Sequence, residues 1–92
     1  LLDFDPEAAW AAWLAGASAL HQDGKTFGDP AQLREAVRWL EQEALPRVPR
    51  ATRPLDWAGT QNNLGAALAT LGERGDDAAL RRAVAAYEAA LE

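Results

Sequence analysis

The chain has 92 residues, room for a single domain. Nine Lys and Arg stand against 14 Asp and Glu, and the net charge of −5 disfavours nucleic acid or an anionic membrane surface as a main partner. There is no Cys, which excludes disulfides and thiolate metal sites, and no Met, which reads as an excerpted or processed chain.

Ala and Leu dominate, β-branched residues are sparse, and no run alternates apolar with polar, so the chain reads as helical throughout. Asp5-Pro6-Glu7 opens the first predicted helix, residues 6–23, with an N-cap, a first-turn proline and an acid suited to the helix dipole. Its core stripe is Trp10, Trp13, Leu14, Ala17 and His21. The opposite strip, Ala8, Ala12, Ala15, Gly16 and Ala19, is small and uncharged, a candidate contact surface for a second copy or a neighbouring repeat. The uncharged run Ala8 to Leu20 is too short to cross a bilayer, which takes about 20 residues. Acids rather than bases precede it, unlike a signal peptide, so the expected setting is the cytoplasm.

Gly28-Asp29-Pro30 opens the second helix, 30–46, whose stripe is Leu33, Ala36, Val37, Leu40 and Ala44. Trp39 lies about 120° from the centre of that stripe, where it is either covered by the next helix or presented as a contact residue. Residues 47–54 form a connector punctuated by Arg47, Arg50 and Arg53. Three charges without interleaved aromatics make a thin nucleic-acid patch, and Arg47 more simply complements the end of the second helix.

The third helix, 55–72, starts at Pro54 with Asp56 and carries no charge from Trp57 to Gly72; its stripe is Trp57, Leu64, Leu68 and Leu71. Gly75-Asp76-Asp77 opens the fourth, 77–91, with Leu80, Ala83, Val84, Tyr87 and Leu91 on one face. A helix uncharged all round is usually covered on more than one side, so the first and third helices should be central and the second and fourth outer. Asp3-Phe4-Asp5 and Asp76-Asp77 read as caps rather than metal ligands, since no calcium-loop spacing accompanies them.

A shift of 47 places Trp10 on Trp57, Gly28-Asp29 on Gly75-Asp76, Leu33 on Leu80, Ala36-Val37 on Ala83-Val84 and Glu41 on Glu88. One offset preserving an aromatic, a cap and a core stripe divides the chain into two helix-turn-helix units, about 5–46 and 55–92.

Gln61-x2-Leu64-Gly65-x2-Leu68 followed by Ala83-x3-Tyr87 resembles the tetratricopeptide pattern W-x2-L-G-x2-Y with A-x3-F in the partner helix. The second unit carries the resemblance well. In the first, Ala36-x3-Leu40 fits but Ala17 and Ser18 replace the Leu-Gly step, and the period exceeds the usual residues, about 34. The resemblance is to long-period arrays of the bacterial and kinesin-light-chain-like kind. It implies an all-α fold of two antiparallel hairpins, a fragment of an α-solenoid. In that pattern Gly65 admits the partner helix, Ala83 meets it, and Leu64 and Tyr87 fill the seam.

The family's usual work implies a non-catalytic scaffold that binds a protein or peptide along the first helices, here at Asn62, Asn63, Ala66 and Thr70. Asn63 matches an Asn that holds a peptide backbone, since an amide donates and accepts at once; both asparagines could instead satisfy helix ends or water. The alternative is self-assembly through Ala8, Ala12, Ala15, Gly16, Ala19 and Trp39. An enzyme or ligand-binding site built on His21, with Ser18 and Asp23 nearby, lacks an oxyanion site and a pocket in view. No cofactor or metal is expected.

Overall fold

A computed structural model describes residues 5–92; Asp3 and Phe4 of the first acidic cluster lie outside the described residues. The described chain is all-helical, with α1 at Pro6–Phe27, α2 at Pro30–Trp39, α3 at Pro54–Glu73 and α4 at Asp77–Leu91. A π-helical segment, Leu40–Ala44, and a 3₁₀ turn, Leu45–Arg47, continue α2. The helices pack as two hairpins, α1 on α2 and α3 on α4, joined by α2 against α3.

Cap chemistry sets the starts. Asp5 Oδ1 accepts from the amides of Glu7 and Ala8 at 3.0 and 3.2 Å, and Asp29 and Asp76 each accept one amide at 3.0 Å. Asp76 therefore acts as the cap expected of it, as does Asp5. The first helix runs past its predicted end at residue 23, because Gly24 is a packing residue and Gly28, at φ 66°, is the left-handed terminator. A Cβ on Gly24 would lie 2.9 Å from Leu33 Cγ; one on Gly72 would lie 2.9 Å from Leu80 Cβ. Second helices thus match at a spacing of 47 (33 to 80), but first helices match at 48 (24 to 72), a one-residue slip taken up in the turns.

Proline explains the end of α2. Pro46 has no N–H and its ring would crowd the carbonyl of Gln42, so the ladder widens before it: the Leu45 amide reaches back to Leu40 O. The helix completes its predicted span by loosening, then tightening, and this keeps Leu40 and Ala44 turned inward.

Leu33, Val37, Leu40 and Ala44 join Ala17, Leu64, Ala67, Leu68 and Leu71 in one core, with Ala79, Ala83 and Ala86 contributed by α4. The expected stripe of α4 is corrected here. Only Ala83 of that set is buried; Leu80, Val84, Tyr87 and Leu91 are exposed. The matching residues of α2 are covered from one side by α1 and from the other by α3, whereas α4 packs on α3 and reaches the first hairpin through the Arg82–Glu41 ion pair at its edge. Gly65 is corrected too: Tyr87, not Ala83, meets it, with Cε1 2.8 Å from where a Cβ would stand.

Candidate functional site: the crevice between the first helices

Two hydrogen bonds pin α1 beside α3. Trp10 Nε1 donates to Thr60 Oγ1 at 2.9 Å, and His21 Nε2 lies 2.9 Å from Thr70 Oγ1. Contacts 10–60 and 21–70 run in the same order along both chains, so the helices are parallel. Each threonine passes its own proton to its helix, Thr60 to Asp56 O at 2.7 Å and Thr70 to Ala66 O at 3.0 Å. A hydroxyl whose proton is committed can only accept from a neighbour, which places a proton on His21 Nε2, a condition that the neutral tautomer protonated there meets. Burial, and then the charge of Lys25, lower the His21 pKa from its ordinary value, in keeping with that neutral form.

Between the two pins lies a cavity of about 210 Å³ lined by Ala17, Ser18, His21 and Gln22 from α1 and Asn63 from α3, with Leu40 as the apolar floor. Its walls carry two amides, a hydroxyl and an imidazole but no formal charge. Such a set hydrogen-bonds neutral groups, a peptide backbone among them, and does nothing to attract an ion.

Of the residues expected to bind a partner, Asn63 lines this cavity. Asn62 is exposed beside it, Ala66 is half-buried and lends its carbonyl to Thr70, and Thr70 is buried with its hydroxyl already engaged. Thr70 is therefore a strut and not a contact residue. Ser18 and Gln22 were missed as a pair with Asn63. Their i,i+4 spacing on α1 signals a shared face, but only the parallel placement of α3 brings Asn63 opposite.

The expected self-association set divides. Ala8, Ala12, Ala15 and Ala19 are exposed along α1. Gly16 and Trp39 are not on that strip: a Cβ on Gly16 would fall 2.7 Å from Trp39 Cζ3, so these two close the seam between α1 and α2. Trp39 meets Trp13 edge-on at 5.2 Å, and its Nε1 donates to Glu35 Oε1 at 2.7 Å. Those bonds answer whether Trp39 is covered or offered outward. It is half-buried and engaged within the chain.

The connector arginines are equally engaged. Arg47, Arg50 and Arg53 lie 5.7, 4.4 and 4.5 Å over the rings of Trp13, Trp57 and Trp10. Arg47 pairs with Glu43 at 2.9 Å, Arg50 with Glu92 at 3.5 Å, and Arg53 with Asp56 at 2.7 Å. Arg47 also donates to Glu43 O near the end of the second helical run, in line with its expected role. Among the described residues, no group of three or more His, Asp or Glu could hold a metal ion, and no helix is long and apolar enough to cross a membrane.

Compared with known protein families, with curated proteins and with solved structures, the chain matches none.

Proposed function

We propose that this chain is a non-catalytic interaction module of the tetratricopeptide kind, holding an extended segment of a cytoplasmic protein partner across the crevice between α1 and α3. The observation that carries the reading is the neutral, hydrogen-bonding wall of that crevice. Ser18 and Gln22 face Asn63 across a gap of about 210 Å³, with Leu40 beneath. The flanking surface of α1 and α3, including Ala11, Gly59 and Asn62, is exposed and uncharged, so a peptide could lie along it without desolvating an ion. Asn63 would fix register by donating to and accepting from the peptide backbone, and the pins at Thr60 and Thr70 would keep the two walls at constant separation.

The test is selection of binding peptides from a displayed random library, followed by mapping of amide shifts on the full chain. The expected footprint is Ser18, Gln22, Asn62 and Asn63, with binding weakened by Asn63→Ala about tenfold, as fits loss of hydrogen bonds in a desolvated site. Selected peptides that perturb the outer faces of α2 and α4 instead, and bind Asn63→Ala undiminished, would overturn the crevice as the site. A role for His21 as a ligand or catalytic group remains the lesser reading, because the hydrogen bond of its Nε2 goes to Thr70.

A further inference from the structure

The two hairpins are built alike, and the joint between them gives a template for what their outer faces fit. On α2, with α1 on one side and α3 on the other, Leu33 and Val37 are 0% and 5% exposed; the matching Leu80 and Val84 of α4, which has no second hairpin beyond it, are 47% and 52% exposed. Leu40 and Ala44 are 2% and 0% exposed, their counterparts Tyr87 and Leu91 38% and 88%. Four of the six large apolar side chains exposed among the described residues therefore fall on one stripe, and that stripe repeats the one that receives α3. The other half of the template is also repeated. The side of α3 that meets the first hairpin carries Thr60, Asn63 and Ala67. At the spacing of 48 shared by the first helices, the corresponding residues of α1 are Ala12, Ala15 and Ala19, all exposed.

We infer that the exposed stripe of α4 receives α1 of a second copy of this chain, in the position that α3 takes on α2. The occupant is chosen by shape and charge together. Branched and aromatic side chains project from α4, while the strip of α1 is alanine, so the helices can approach closely as they do at the internal joint. Ala8 to Leu20 brings no charge of α1 to the contact. Because the two surfaces differ and lie on opposite outer helices, the contact is head-to-tail, and one copy leaves a stripe free to receive the next. This inference stands on the equivalence of the hairpins and not on the crevice; the interaction module could exist without it.

The experiment is sedimentation of the full chain over a concentration series, with Val84→Glu and Ala15→Glu beside it. Both positions are exposed and glutamate is a good helix former, and circular dichroism checks that each variant keeps its helices. The unsubstituted chain should grow with concentration beyond a dimer. Each variant alone should stay a monomer, and an equimolar mixture should stop at a dimer, since only one sound pair of surfaces remains. A second measurement uses the absence of native cysteine: Ala19→Cys and Val84→Cys chains, at the counterparts of Ala67 and Val37 in the core of the internal joint, should cross-link when mixed but not separately. A chain that stays monomeric throughout, growth that ends at a closed dimer, or Val84→Cys cross-linking to itself would each overturn the inference.

Discussion

His21 is the one side chain whose charge would change near neutral pH, and it sits half-buried at a helix–helix pin where burial disfavours the charged form. Its folded pKa lies below the ordinary 6.5, chiefly through burial and then through Lys25. The unfolded chain therefore holds the proton more tightly. The stability contributed is full above the unfolded value and is lost as pH falls through the folded one. The thermal midpoint should drop as pH falls below the ordinary 6.5 and through the lowered folded value, and His21→Gln should flatten that slope; equal slopes in both chains would remove His21 as its cause. The glycines make a second test at this scale. Ala at Gly24 would press on Leu33 Cγ at 2.9 Å and on Asp29 O at 3.1 Å, and Leu33 is wholly buried with nowhere to move. Gly24→Ala should cost about 1–3 kcal/mol, as overpacked cores do. Gly65→Ala meets only the ring of Tyr87, which is partly exposed and can swing outward, and it gains the better helix propensity of Ala, about 1 kcal/mol. Urea unfolding of the pair should show a clear loss for the first and a change near zero for the second.

Among the elements, the connector works hardest for its length. Arg53 lies 4.5 Å over the ring of Trp10, reaches Asp56 Oδ2 through Nε at 3.0 Å and Nη2 at 2.7 Å, and approaches Glu7 at 3.7 Å. It joins the start of α1 to the start of α3, the same junction that Trp10 and Thr60 pin. Arg53→Ala should destabilise by about 1–2 kcal/mol, and Arg53→Lys should recover less than half, since an ammonium cannot both stack and fork. Arg50→Ala should cost less: its pair with Glu92 is long and exposed, and such pairs contribute little. Chemical denaturation of the three variants checks the order. These roles were closed to sequence reasoning, because each arginine meets a tryptophan from another element. The helix starts were legible, because Asp5, Asp29 and Asp76 act within three residues of themselves. Helix ends were less so: the first helix continues past residue 23 because Gly24 packs on Leu33 from another element, and the widening before Pro46 depends on where the ring of that proline must fit.

At the scale of the molecule, the two-hairpin plan was legible from one offset, whereas the slip to 48 in the first helices was not, since turns hide a single residue. The exposed stripe of α4 was misread as core for a related reason. Apolar periodicity says which face is hydrophobic, and only the number of neighbouring helices says whether that face is covered. Two stacked units also raise the question of whether they unfold as one. Coupling in a stack comes from the interface between neighbours, and here that interface combines an apolar core with the pins at Thr60 and Thr70. Thr60→Val with Thr70→Val keeps shape and apolar area while removing both acceptors. Each unmade bond at a half-buried site costs about 1 kcal/mol, and the loss falls on the joint, not on either hairpin. The positions of the tryptophans make this measurable: three of the four, Trp10, Trp13 and Trp39, are in the first hairpin and Trp57 is in the second, while circular dichroism sees all four helices. In the unsubstituted chain the fluorescence and dichroism melts should coincide. In the double variant the fluorescence melt should move to lower temperature first, because α1 loses both of its hydrogen-bonded anchors on α3. Coincident melts in the double variant would instead place the coupling in the apolar contacts of Leu40, Leu64 and Ala67 alone, and the threonines would then set alignment without contributing to cooperativity.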